Sequence, residues 1–501
     1  MKSLRKIAIV GGGSSGWMTA ALLARLFQGL YEITLIESEE IATIGVGEAT
    51  IPAIKKYNDL LGLDENEFMQ RTQASFKLGI RFEGWLRGDD AYVHGFGVIG
   101  QDLEWLRMHH YWLKLQAQGR ADPFIDFSIN TASVATNKFM RAQPNMGDSP
   151  LGQIVHAFHM DASLFAQFLS GYAQDRGVKR REGKVVDVNL RSADGFIESL
   201  TMADGGVIDA DLFIDCSGFR AILIEGALKT GFEDWSHWLP CDRAIALPCR
   251  RNEDNFTPYT RSIARGAGWQ WRIPLQHRTG NGHVYSSQFM DDDTAEAILR
   301  GNLDGEVLAE PNKVRFKAGK RSKLWNKNCV AIGLAGGFLE PLESTSLHLV
   351  HSGIVRLVRL LPDAGFDQSN IDQFNRQSDL EYERIRDFII LHYKATERSD
   401  TPFWDYCRTM EVPGSLQRKI DLWMANARIF PEEEELFTEE SWIQVFLGQG
   451  MIPRGHDPLV DIKSDAQIAQ FLGNIRSVIG KCVDVMPSHA EYVAKTCPAA
   501  A

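Results

Sequence analysis

Three stretches of this chain combine residue types that can do chemistry. Gly11-Gly12-Gly13-Ser14-Ser15-Gly16 spaces its glycines as GxGxxG, and an acid, Glu37, follows about twenty positions later. Such glycines let a backbone approach a pyrophosphate at a helix N-terminus, while the acid takes ribose hydroxyls. Gly337-Phe338-Leu339-Glu340-Pro341-Leu342-Glu343-Ser344-Thr345-Ser346 joins two carboxylates, a proline and a hydroxyl cluster. It reads first as a strand-to-helix junction with Ser or Thr caps, and a helix N-terminus also attracts anions. Gly268-Trp269-Gln270-Trp271-Arg272-Ile273-Pro274 puts two indoles on one face of an extended backbone that Pro274 terminates. Taken alone, that run also describes a buried strand with two core aromatics.

The flanking segments must position these residues. Residues 5–10 form a short, mostly apolar run, a helical stretch reaches Phe27, and Ile33-Thr34-Leu35-Ile36 ends at Glu37. Strand, glycine turn, helix and strand in that order make a right-handed βαβ unit. Asp211–Asp215 leading to Ser217-Gly218, and Cys329–Gly333, read as later returns to the same sheet. The turn Gly333-Leu334-Ala335-Gly336-Gly337 after the last of them points to FAD, not NAD, and Asp215-Cys216-Ser217-Gly218 to a second turn on the FAD side. Val185, on a strand after Gly183, packs on adenine in one reading and in the core in another. The expected fold is α/β. A Rossmann-like FAD-binding module is discontinuous over 1–74, 155–220 and 321–350. A mixed β-sheet region is inserted at 75–154 and 221–320, and 351–501 is mainly helical, as runs such as Tyr382-Ile385-Phe388-Ile389 suggest. Glu432-Glu433-Glu434-Glu435 after Pro431 reads as the solvated start of a helix.

Bulk composition narrows the class. Of 501 residues, 44% are hydrophobic and 24% charged, enough for a large core and too ordinary for a disordered chain. A net charge of −11 offers phosphates no basic field and argues against a nucleic-acid partner. The seven cysteines include no Cys-x-x-Cys pair, so they read as reduced thiols, with neither a zinc site nor a disulfide frame. The apolar run Ile7–Val10 is too short for a signal-peptide core or membrane span, so a cytoplasmic location is expected.

Trp269-x-Trp271-x-Ile273-Pro274 reproduces the Trp-x-Trp-x-Ile-Pro signature of the flavin-dependent halogenases, the tryptophan halogenase family, and the resemblance covers nearly the whole chain. In that family the run is similar to a wall between flavin and organic substrate. Gly45-Val46-Gly47-Glu48-Ala49-Thr50-Ile51-Pro52, otherwise a glycine-interrupted loop, resembles the strap between FAD and halide sites. Phe76-Lys77-x-x-Ile80-x-Phe82 followed by Trp85 resembles the segment with the essential lysine, although a lone strand lysine ordinarily faces solvent. The resemblance implies that Lys77 holds hypohalous acid or its haloamine form, with Glu343 as its partner. It places halide at Thr345 and Ser346 and Leu347 against the flavin. Ser346 stands where the family usually has Gly, which leaves the choice of chloride or bromide open. His94-Gly95-Phe96-Gly97 is similar to the segment that sandwiches an indole, and Trp442 falls in the remaining substrate wall. The paired tyrosines that hold an amino-acid end are missing from Ser441–Gly450. The resemblance thus implies halogenation of an indole or other electron-rich arene by reduced FAD, O2 and halide, with tryptophan itself as an alternative. A flavin-dependent aromatic monooxygenase is the rival reading. With no second nucleotide fingerprint, a separate NAD(P)H-dependent flavin reductase is the expected partner. The sequence leaves monomer or homodimer open.

Overall fold

The computed structural model describes residues 4–40, 47–362 and 365–499. Its first layer is a six-stranded sheet in which Lys6–Val10 lies between Glu32–Glu37 and Leu212–Asp215. These neighbours run parallel, as do the pairings to Lys179–Glu182 on one side and Cys329–Ala331 on the other. Parallel strands need crossover connections, and the helix Ser14–Phe27 supplies the first. Its nine consecutive buried residues, Gly16 to Ala24, suit a helix with neighbours around most of its circumference. It packs against the helices Ala162–Gln174 and Ser346–Arg359. Strands 179–182, 212–215 and 329–331 are far apart in sequence, yet the first flanks Glu32–Glu37 and the other two extend the sheet from Lys6–Val10, so this layer is assembled from separated segments.

A seven-stranded mixed sheet forms the second layer, combining Gly79–Glu83 and Ala91–Gly95 with five strands between 243 and 315. Thr260–Arg265 runs parallel to Gly79–Glu83 and antiparallel to Gly268–Pro274. In this register Trp271 lies opposite Ser262 and Gly282, and Trp269 opposite Ala264 and Val284. Period-2 alternation sends both indoles to one face, with Gln270 and Arg272 on the other. A Cβ at Gly282 would come within 2.0 Å of the Trp271 ring, so that neighbour has to be glycine for the indole to lie across it. The strand Ser75–Lys77 belongs to a third, small sheet with Gly47–Ala49 and Ala157–Asp161.

Beyond Ser346 the chain is mainly helical, and the 27-residue helix Gln368–Lys394 is its spine. Residues 385–393 of this helix are buried without a break, because sheet and helices enclose them from all sides. One expectation fails here. Glu432–Glu435 forms turns, and the next helix starts at Glu439. Glu435 is largely buried, 3.0 Å from Lys419 Nζ, and accepts the Trp442 Nε1–H at 2.8 Å; Glu432 pairs with Arg384 at 2.9 Å. Tertiary partners for these acids outweighed the helical preference of a glutamate run. The strap is described only from Gly47 onward; Gly45 and Val46 lie outside the described residues.

Candidate active site

A cleft of about 1000 Å³ opens over the first sheet. Gly11, Gly12, Gly13, Ser14 and Ser15 line it, with Glu37, Ala49 and Val185. The helix Ser14–Phe27 starts at Gly13 without a side-chain cap, so its first N–H groups are free for an anion. Gly11 has φ +119°, and a Cβ there would sit 2.2 Å from the Cys216 carbonyl oxygen. Only glycine lets these two turns close on each other. Glu37 is held by Arg180 Nε at 2.5 Å and Trp17 Nε1 at 3.3 Å. Asp215 accepts the backbone N–H groups of Ser217, Leu223 and Ile224, and this fixes the Cys216–Gly218 lining. A long cleft with a glycine cradle, a free helix end and an acid in place fits a dinucleotide such as FAD.

The same cleft is also lined by Leu334, Pro341, Ser344, Ser346, Leu347, Trp269, Trp271 and Ile273. Pro274 closes the Trp strand, and its carbonyl accepts the Ser75 hydroxyl at 2.5 Å. The two indole centroids are 6.2 Å apart. Trp269 Nε1 donates to Glu340 Oε2 at 2.9 Å, and Tyr393 Oη donates to the same oxygen at 2.5 Å. Burial pushes the Glu340 carboxyl up to about 7, against the pull of these donors. Burial likewise raises Glu48, also in the cleft lining, to about 7.

Lys77 does not line the cleft and is fully buried. Its Nζ donates to Ser344 Oγ at 2.7 Å and lies 5.4 Å from the Phe96 ring centroid. Desolvation lowers the amine to about 7, despite the opposing pull of the Glu343 carboxylate. Ser344 has φ +59°, a left-handed conformation uncommon for a residue with a side chain. That conformation brings the serine to a position where it both lines the cleft and meets Lys77. Thr345 precedes the helix Ser346–Arg359 without capping it, and its buried Oγ1 has no hydrogen-bond partner.

Glu343 sits between two histidines. His94 Nδ1 is 2.8 Å from Oε2, and His392 Nε2 is 2.8 Å from Oε1. Burial would raise this carboxyl, but His94 and His392 outweigh it and hold it down to about 2. His94 is thus engaged by Glu343 and 3% exposed at its side chain, and Phe96 stays beside Lys77. Trp442 packs edge-on against Phe388, ring centroids 4.8 Å apart, with its N–H committed to Glu435. The structure therefore gathers Lys77, Glu343, His94 and Phe96 away from the cleft lining. It also adds Ser344, Glu340 and His392, which sequence reading did not single out. Ser344 and Glu340 lay within a motif already noted. His392 carried no local signal, because only the packing of its helix brings it to Glu343.

Among the described residues no cluster of three or more His, Cys, Asp or Glu is placed to hold a metal ion, and no helix is long and apolar enough to cross a membrane. Fold and site together define an α/β protein with a dinucleotide-sized cleft and a buried lysine hydrogen-bonded to one residue of its lining. The tryptophan halogenase family model matches residues 6–465. Xcc4156, a flavin-dependent halogenase from Xanthomonas campestris, is 45% identical and superposes over 100% of both chains with a TM-score of 0.96. BrvH, a flavin-dependent halogenase from Brevundimonas sp. BAL3, is 46% identical over 99% of both chains, with a TM-score of 0.95. Tryptophan 7-halogenase RebH of Lentzea aerocolonigenes is 34% identical over 97% of this chain and 98% of its own. The chain belongs to the tryptophan halogenase family and is a flavin-dependent halogenase.

Proposed function

We propose that this halogenase attaches chloride or bromide to an indole or another electron-rich arene that lacks an amino-acid end. One contact carries the reading: Ser344, in the cleft lining, accepts a hydrogen bond from the buried Lys77 at 2.7 Å. It links the cofactor cleft to the lysine that the functional reading sets against the organic ring. When bound, reduced FAD supplies the reaction of O2 with halide that yields hypohalous acid. Gly11–Gly16, Glu37, Ala49, Val185, Leu334 and Leu347 hold it. Thr345 and Ser346 bind halide at an uncapped helix N-terminus, where the unpartnered Thr345 hydroxyl is a ready donor. Trp269, Trp271, Ile273 and Pro274 keep the ring away from the flavin, so oxygen is not transferred directly to it.

Lys77, held near neutrality by burial, receives the hypohalous acid and sets its halogen against the ring. Glu343 provides the negative charge behind it, and Phe96 and Trp442 confine the ring face. The helix Glu439–Gly448 presents Trp442, Gln444 and Phe446 to the interior and has no tyrosine pair to hold an ammonium and a carboxylate. That favours a substrate less polar than free tryptophan. Relatives named for tryptophan, such as RebH, share only about a third of their residues with this chain. The reduced flavin comes from a separate reductase, because the sequence has one nucleotide fingerprint.

Mass spectrometry of reactions containing a flavin reductase, NADH, FAD and O2 tests this, with indole or tryptophan and chloride or bromide in parallel. The expected result is a halogen isotope pattern on indole and little on tryptophan. Preferential halogenation of tryptophan would overturn the substrate reading, and gain of one oxygen without halogen would overturn the role of the wall.

A further inference from the structure

The reverse face of the strand Gly268–Pro274 carries charge that its neighbours do not balance. Arg272 alternates with Trp271, so it leaves the sheet on the side away from the indoles. In the sheet register Arg272 lies opposite Arg261, and Arg261 opposite Arg81. Three guanidinium side chains therefore rise from one row across three adjacent strands, which lie about 4.8 Å apart. A fourth, Arg265, stands four positions after Arg261 on the same face. Its guanidinium turns to Gln270, donating to Oε1 from Nε at 3.1 Å and from Nη2 at 2.5 Å. The backbone beneath it is pinned, since Trp404 Nε1 donates to the Arg265 carbonyl at 2.7 Å. All four arginines are partly exposed, so a solute can reach them.

Two carboxylates answer these four cations. Glu83 accepts from Arg261 Nε at 2.7 Å and Nη2 at 2.8 Å, and it lies 3.3 Å from Arg81 Nε. Asp304 is 3.5 Å from Arg272 Nη1, while Arg272 Nη2 donates to the Asn302 carbonyl. Arg265 has no ion pair among the described residues. Burial, then the like charges of Arg272 and Arg261, lower it to about 10, which leaves it charged at neutral pH. Donors also stand unused. Arg272 Nε has no hydrogen-bond partner, and neither has Nε2 of Gln270, a residue 0% exposed whose Oε1 is taken by Arg265. His283, opposite Gln270, adds no charge, because burial lowers it to about 4.

We propose that this face is an oxyanion site that takes a phosphate group, bound by Arg265 and Arg272 with Arg81 and Arg261 at its edge. Partly buried like charges cost stability unless a counter-charge joins them, and here the chain itself falls short. Four guanidinium groups against two carboxylates leave two positive charges, although the whole chain carries −11. That excess matches a phosphate dianion better than a halide ion. The planar fork of a guanidinium also pairs with two oxygens of a phosphate at once. The site is distinct from the cofactor cleft, since none of the four arginines lines it. An anion there would brace, from behind, the strand whose indoles line that cleft. Inorganic phosphate and a phosphate monoester share this chemistry.

Isothermal titration calorimetry of the whole protein, saturated with FAD to keep phosphate out of the glycine cradle, tests the site. Inorganic phosphate is the titrant at pH 7.5, with chloride holding the ionic strength constant. A dissociation constant of about 1 mM or tighter is expected. In Arg265→Gln it should weaken by at least about ten-fold, the effect of losing one charge-assisted donor. No binding by the wild type would overturn the proposal. So would unchanged binding by the variant, which would place phosphate elsewhere on the molecule. Thermal unfolding gives a second readout. Without phosphate Arg265→Gln should melt at or above the wild type, because it removes a charge that two others repel. Phosphate at about 10 mM should raise the wild type and leave the variant within about 1 °C. A variant that melts lower and still gains from phosphate would make Arg265 a structural residue and overturn the proposal. Glycerol 2-phosphate separates the sources: tighter binding than inorganic phosphate points to a monoester, weaker binding to the free ion. Succinate binding more tightly than either would overturn the assignment to phosphate.

Discussion

The indole N–H of Trp269 donates to Glu340 at 2.9 Å, so the wall of the cofactor cleft is tied to the turn that carries Glu343, Ser344 and Thr345. Seventy-one residues separate the two partners, and both are buried. The hydrogen bond fixes the indole by its polar edge. A shift of either element would move the Trp269 strand and the Glu340–Thr345 turn together.

The Glu340 carboxyl is protonated up to about pH 7 in the folded protein, but only to about 4.5 when unfolded. Between those values the native state holds a proton that the unfolded chain has lost, so this group makes stability fall as pH rises. Above pH 7 the cost approaches roughly 3 kcal/mol as an upper bound. Glu340→Gln should therefore flatten the decline of melting temperature between pH 5 and 8, measured by differential scanning fluorimetry. Glu48, raised by the same mechanism, will leave a residual slope.

Lys77→Met is expected to lower halogenation by at least about a hundred-fold, the scale of losing one preorganised charged donor in a dry site. FAD affinity, measured by fluorescence titration, should stay within about two-fold, because Lys77 does not line the cleft. The same variant should melt at a higher temperature at pH 6. Folding lowers the Lys77 amine from 10.5 to about 7, so its unfavourable contribution is complete below pH 7 and vanishes as pH rises past 10.5.

Gly11→Ala puts a Cβ 2.2 Å from the Cys216 carbonyl at a φ of +119°. The fingerprint turn and the Cys216–Gly218 turn would have to separate. A rise of at least about ten-fold in the FAD dissociation constant is expected, equivalent to about 1.4 kcal/mol. Unchanged affinity would show that this end of the cleft does not bind the cofactor.

Gly282→Ala drives a methyl group into the Trp271 indole. Overpacking of this kind costs about 1–3 kcal/mol, and the easiest relief is displacement of the ring into the cleft. Halogenation per turnover of reduced flavin should drop as the passage is blocked or leaks. Comparing product formed with peroxide released measures this.

Much of the site was legible in sequence wherever chemistry depends on neighbouring residues. The fingerprint at Gly11–Gly16, the alternation at Trp269 and Trp271, and the turn from Glu340 to Ser346 are local patterns, and backbone geometry turns each into a definite shape. The mixed α/β class followed similarly from the order of apolar runs. Tertiary structure decided what depends on burial and on partners distant along the chain. Lys77 sits in a segment that could equally face solvent, and only its burial in the fold lowers its amine toward neutrality. Glu343 was expected opposite that lysine. Packing gives it two histidines as direct partners, one from strand Ala91–Gly95 and one from a helix nearly three hundred residues further on. Glu432–Glu435 shows the same limit, since a run of acids looks solvated until Arg384, Lys419 and Trp442 surround it. Local periodicity reports the conformation of a segment, whereas the charge state of a buried group is a sum over everything the fold places around it.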